Sequence, residues 1–190
     1  MAANNIEYLE NPGDGAFYGP KIDFSLKDSL SRVWQLGTIQ LDFSMPGRLD
    51  ASYVDKEGNK DVPVMIHRAI LGSLERFVGI LIEHYSGHLP FWLSPVQVIT
   101  LNITDKHKSY AEEINNKLLD YGIRSECDSS NEKISYKIRN HAITRVPYMV
   151  IVGDKELENR VISVRDRTGS DLGSFQLEEF VDLLKKNLTE

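Results

Sequence analysis

Between residues 96 and 152 the chain alternates strand-like and helix-like patterns in the order β-α-β-α-β. That alternation narrows the architecture more than any other feature, because it favours a parallel sheet with right-handed helical crossovers. Residues 96–103 read as a buried strand, and 110–121 as a helix with Ala111, Ile114 and Leu118 inward and Gly122 just past its end. Residues 123–127 give a second strand, 132–144 a second helix and 147–152 a third strand. A further strand at 161–165 follows a turn, and a last helix at 176–187 places Leu177, Phe180, Val181 and Leu184 on one face. The predicted result is a compact α/β domain whose mixed, mainly parallel sheet is flanked by helices.

The first half is patterned differently. Residues 17–25 set Lys21, Asp23 and Ser25 against Ile22 and Phe24, and residues 38–43 set Thr38, Gln40 and Asp42 against Ile39, Leu41 and Phe43. Both are strands with one polar face, separated by a helical turn or loop at 28–35. The charged run 55–61 holds Gly58-Asn59 and predicts a hairpin turn before an apolar strand at 62–66. From Ser73 onward Leu74, Phe77, Val78, Leu81 and Tyr85 recur at helical spacing until Gly87 and Pro90. The run LPFWLSP, residues 89–95, reads as a connection, so the chain is expected to divide into 1–92 and 93–190.

A length of 190 residues suits two small units. With 41% hydrophobic and 26% charged residues, and no apolar run near the ~18–20 residues of a membrane span, the chain has the composition of a soluble protein. The opening MAANNIEYLE lacks the basic flank and apolar stretch of a secretory signal, and the single Cys127 forms no internal disulfide. A cytoplasmic setting is expected. The net charge of −6 requires any nucleic-acid contact to come from a local patch.

Three groups of residues invite a chemical reading. Ser73 is placed as the N-cap of a helix and Arg76 at its third position, where the dipole disfavours a cation unless an anion is bound; the alternative is that Arg76 pairs with a surface carboxylate. His67 follows a strand, and one histidine cannot make a zinc site, since zinc takes three or four protein ligands and residues 1–66 hold no Cys or His. In the second half Lys133 and Lys137 are four apart, with Arg139 and Arg145 nearby, and Glu156 and Arg165 are placed in the loop after one strand and at the end of the next. Such a stripe is either a solvated face or a surface for single-stranded RNA.

HRAILGSLERF at 67–77, preceded by QLGTIQLDF and followed by NEKISYKIR and VPYMVIVGDKE, resembles the threonyl-tRNA synthetases over essentially all of residues 15–190. The first block is similar to motif 3 of the class II aminoacyl-tRNA synthetases. This resemblance implies a partial class II antiparallel-sheet catalytic domain, with motif 3 around 63–85, followed by an anticodon-binding domain. It implies that Arg76 contacts the ATP phosphates, with Ser73 and Gln35 also at the nucleotide. Tyr18, Thr38 and Gln40 are implied near threonine, and Lys21 in the same catalytic cavity. His67 resembles the third ligand of the family's zinc, which holds threonine by its amino and hydroxyl groups and rejects valine. ATP with magnesium, threonine and the threonine tRNA are the implied partners, with Asn131, Lys133, Arg139, Glu156 and Arg165 at the anticodon. The family's motif 1, which forms its homodimer interface, its motif 2 arginine and its editing domain have no counterpart here. The chain is therefore expected to be a C-terminal fragment, inactive alone, with Met1-Ala-Ala an added start. The competing reading is a non-catalytic RNA-binding module that uses only its second half.

Overall fold

The computed structural model describes residues 6–187, so the Met1-Ala-Ala start lies outside the described residues. The chain divides into two compact units, Met1–His84 and Tyr85–Glu190. No helix among the described residues is long and apolar enough to cross a membrane.

The first unit is built on an antiparallel three-stranded sheet in the order β1-β2-β5. β1 (Lys21–Lys27) and β2 (Val33–Asp42) are joined by a tight turn in which Asp28 accepts from the amides of Leu30 and Arg32. That side-chain mimicry of a turn confines the loop to a few residues, so 33–35, expected to be irregular, belong to β2. A short helix α1 (Met45–Arg48) follows, unforeseen in the sequence because Pro46 and Gly47 are poor helix residues. β3 (Tyr53–Val54) and β4 (Lys60–Asp61) form the hairpin around Gly58-Asn59. β5 (Met65–Ala69) begins later than the predicted 62, beyond Pro63, which has no N–H for a ladder. α2 (Leu74–His84) closes the unit.

In the second unit β6 (Val98–Asn102), α3 (Lys108–Asp120), β7 (Ser125–Asp128), α4 (Ile134–Ile143) and β8 (Tyr148–Val152) realise the expected alternation. β6 pairs in parallel with both β7 and β8. Beyond β8 come a short helix α5 (Asp154–Asn159), β9 (Ile162–Asp166), β10 (Asp171–Phe175) and α6 (Leu177–Asn187). β9 and β10 add antiparallel, giving a five-stranded sheet in the order β10-β9-β8-β6-β7. One face is covered by α3 and α6, with Ile114, Leu118, Phe180 and Leu184 in its core; the other is covered by α4 over Ile99, Leu101, Met149 and Ile151. The LPFWLSP connection is fastened to this unit: Phe91 is buried in its core, and Arg124 donates to the carbonyls of Trp92 and Ser94.

Candidate functional site

In the first unit the register sets Lys21 opposite Gln40 and Gln40 opposite His67, so three chemically active side chains stand in one row. Asp23, Thr38 and Asp42 share that face by strand alternation. Simple alternation would send Gln35 to the other side of the sheet from Thr38. A bulge prevents this: Phe24 pairs with Gly37 but Ser25 with Gln35, leaving Leu36 as the extra residue. Gln35 thereby returns to the polar face, where its Nε2 donates to Asp23 Oδ1 at 2.7 Å.

Tyr18 reaches the row from the segment ahead of β1. Its carbonyl accepts from the Phe43 amide, and the Pro20 carbonyl from the Leu41 amide. A Cβ on the intervening Gly19 would lie 2.2 Å from the Leu41 carbonyl oxygen, so only glycine lets the segment lie so close. The Tyr18 hydroxyl donates to Gln40 Oε1 at 2.7 Å, and its ring meets His67 edge-on at 6.0 Å. Lys21 lies 3.0 Å from Asp23, whose hydrogen bond is the foremost cause raising the lysine's pKa, and 3.9 Å from Asp14.

His67 Nε2 is 2.9 Å from Oδ2 of the buried Asp42, and Oδ1 of Asp42 accepts from the amides of Met45 and Ser44. The Met45 amide foremost, with His67 and Ser44 and against the opposing effect of burial, holds this carboxyl below its ordinary range. An ionised Asp42 only accepts, so His67 donates from Nε2, which in the neutral imidazole leaves the Nδ1 lone pair for another partner. As a test of zinc, that arrangement provides one oriented ligand with the carboxylate partner that metal-binding histidines use. No group of three or more His, Cys, Asp or Glu side chains that could hold a metal occurs among the described residues, so these residues do not by themselves fit a zinc or magnesium site.

At α2, Ser73 Oγ accepts from the Arg76 amide at 3.3 Å, confirming the N-cap, and donates to Glu75 Oε2 at 2.7 Å. The Arg76 guanidinium is exposed, lies 5.4 Å from the Trp34 ring, and forms no ion pair among the described residues. Among the described residues, the surface carboxylate that the sequence allowed for does not pair with it. Trp34 is itself held, its indole N–H donating to Asp28 Oδ2 at 2.8 Å and Arg32 lying 5.4 Å from its ring. Burial pushes the Asp28 carboxyl up, but the bonds from Trp34 and Arg32 outweigh it and hold the group at about 2.

In the second unit Ser163 pairs with Ile151 and Arg165 with Met149, which places both on the α4 side of the sheet. Glu156 joins this side through Oε1, which accepts from Ser163 Oγ at 2.9 Å, while Oε2 accepts from the Gly153 amide at 2.9 Å. The sequence placed Glu156 in a loop; it is in α5, where it closes a capping bond to Gly153. Arg165 donates to the Gly169 carbonyl at 2.7 Å and to Asp171 at 3.2 Å. Asn131 in the β7–α4 loop, Lys133 immediately before α4 and Arg139 on α4 are all exposed. All five expected RNA contacts thus belong to one side of the sheet.

Lys137 does not. Expected to share an exposed stripe with Lys133, its side chain is 1% exposed and its Nζ donates to Asn102 Oδ1 at 2.9 Å, the Asp128 carbonyl at 2.9 Å and the Asn102 carbonyl at 3.3 Å. Lys133 precedes the helix with extended backbone, so the four-residue spacing does not carry both onto one helical face. Arg145 is likewise engaged, donating to the Ser86 carbonyl. Three residues that serve the predicted ones were missed. Asp42 was visible in the alternation with Thr38 and Gln40, and Asp23 in that with Lys21 and Ser25, whereas Trp34 carried no signal of its role.

Residues 3–85 match the family described as tRNA synthetase class II core domain (G, H, P, S and T), and residues 95–187 match the family described as Anticodon binding domain. The chain is 58% identical over 188 residues to the threonine–tRNA ligase of Halorhodospira halophila, covering 99% of this chain and 29% of that one. It is 58% identical over 189 residues to the threonine–tRNA ligase of Prochlorococcus marinus, covering 100% and 30% respectively. It thus spans about three tenths of the length of these curated relatives. Among solved structures it is similar to the RNA binding domain of threonyl-tRNA synthetase from Cryptosporidium parvum, with a TM-score of 0.84, 40% identity, and coverage of 97% of this chain and 47% of that one.

Proposed function

The chain belongs to the threonyl-tRNA synthetase family, carrying class II core sequence followed by an anticodon-binding domain, and from that premise we propose that it takes part in charging the threonine tRNA. The reaction joins threonine to ATP as threonyl-adenylate with release of pyrophosphate, then transfers the threonyl group to tRNA with release of AMP. In this reading Arg76, with no acidic partner among the described residues and lying over Trp34, meets the ATP phosphates at the positive end of α2. Ser73 and Gln35 line the nucleotide, and Tyr18, Thr38 and Gln40 meet threonine. Lys21, in the Lys21–Gln40–His67 row, supplies positive charge beside the reacting groups. His67 contributes one zinc ligand through Nδ1, the others lying outside the described residues. Catalysis here depends on holding charges in place more than on proton transfer by the protein.

The second unit reads the anticodon. The observation that carries this is the gathering of Asn131, Lys133, Arg139, Glu156 and Arg165 on the α4 side of the sheet, in a chain whose overall charge is negative. Carboxylate, amide and guanidinium groups suit the base edges and faces of an unpaired loop, and Lys133 suits the phosphates. The test is titration of the chain against the anticodon stem-loop of the threonine tRNA and against loops with single base changes. Preference for the cognate loop is expected, and equal affinity for all loops overturns the reading.

A further inference from the structure

Building on the RNA reading of the second unit, we propose that Lys137 is a positioning residue for that surface: its buried ammonium fastens the loop that carries Asn131 to the ends of β6 and β7. A lysine loses hydration and rotamer freedom on burial, so it is tolerated only where its donors find partners. Here the three hydrogen bonds go to Asn102, the last residue of β6, by both side chain and carbonyl, and to the carbonyl of Asp128, the last residue of β7. The Asp128 carboxylate continues the network into the loop. Its Oδ1 accepts from the Ser130 amide at 3.0 Å and hydroxyl at 2.6 Å, and its Oδ2 lies 2.9 Å from His141 Nε2, one turn further along α4.

Two residues of α4 therefore grip one end of a loop that exposes Ser130, itself bonded to Asp128, and then Asn131, which has no partner of its own among the described residues. The place is telling as well: open α/β sheets receive their ligands beyond the carboxyl ends of the parallel strands. Methionine fills much of the same space but leaves the Asn102 and Asp128 oxygens without their donor, so some stability is lost together with the tether. Replacing the lysine should therefore leave a less stable but folded chain whose loop is loosened, and the loop is where its effect on the RNA surface is read.

The experiment uses the full chain carrying Lys137→Met, with thermal unfolding as a control for folding. Amide hydrogen exchange across residues 129–133 should quicken at least about tenfold, the size of a modest local opening. Discrimination between cognate and base-substituted loops should fall roughly tenfold, the scale of one base contact. The salt dependence of binding should stay as in wild type, because Lys133 and Arg139 remain. In an Asn131→Ala background Lys137→Met should bring no further loss of discrimination, a non-additivity that a merely structural role would not produce. Wild-type exchange and wild-type discrimination in Lys137→Met, or fully additive losses in the double variant, overturn the proposal. If Lys137→Met does not fold, Asn102→Ala removes one acceptor while keeping the lysine; the same changes at smaller size are expected, and none at all overturns it. A wild-type chain that does not discriminate between loops refutes the RNA reading itself, whereas a discriminating wild type with an indifferent Lys137→Met refutes only this assignment.

Discussion

Glu156 is expected both to cap α5 and to read a base, and a pair of substitutions separates the two roles. Glu156→Ala removes the acceptor for the Gly153 amide and for the Ser163 hydroxyl, each at 2.9 Å. Loss of the capping bond costs about 1 kcal/mol, and loss of the hydroxyl bond costs on the order of 1 kcal/mol more. For a unit of this size each kcal/mol lowers the thermal midpoint by about 4–8 °C, so a fall near 10 °C is expected. Against the cognate loop the same change should cost about 1–3 kcal/mol of affinity, and little against a loop already mismatched at that base. Glu156→Gln keeps an oxygen for the Gly153 amide and presents an N–H that can donate to the Ser163 hydroxyl, so its stability cost should stay under about 1 kcal/mol. It replaces one acceptor by a donor, however, and should still lose discrimination. Thermal unfolding by circular dichroism and fluorescence anisotropy titration against both loops give the two readouts. A Glu156→Gln chain with wild-type discrimination would show that the carboxylate caps a helix and reads nothing.

Lys133→Ala and Arg139→Ala should each weaken cognate and mismatched loops alike and reduce the slope of log affinity against log salt by about 1, in titrations at several salt concentrations. As purified, the chain should hold far less than one zinc per molecule by elemental analysis, since His67 offers one ligand; stoichiometric zinc would contradict this. The Asp128 carboxyl, raised by burial but lowered more by Ser130 and His141, lies at about 2 instead of the ordinary 3.8. A lowered carboxyl stabilises the fold fully above its unfolded value and loses that contribution as pH falls through the folded one. About 2 kcal/mol should therefore disappear between pH ~4 and ~2, and Asp128→Asn should flatten that part of the urea-unfolding profile.

The fold was legible where one periodicity ran long enough. The strands and helices from 96 to 152 follow from apolar spacing alone, and the final helix from Leu177, Phe180, Val181 and Leu184. Short elements escaped because their local signals are weak: α1 contains a proline and a glycine, α5 is held by its Glu156 cap, and β10 is an edge strand beside β9. For the polar row, strand alternation placed Thr38, Gln40 and Asp42 correctly but would have sent Gln35 to the far face, because a bulge is a property of paired strands and not of one strand's sequence. Lys137 shows the same limit. A lysine four residues from another reads as surface, and only the tertiary structure brings the Asn102 and Asp128 oxygens that let it be buried.

The most direct test of the account is amide chemical-shift mapping of the chain by NMR as the anticodon stem-loop of the threonine tRNA is added. Shifts should concentrate in the β7–α4 loop and α4 around Asn131, Lys133 and Arg139, and around Glu156 and Arg165, while α3 and α6 on the opposite face stay unperturbed. Perturbation centred on α3 and α6, or none at RNA concentrations that saturate binding, would contradict it.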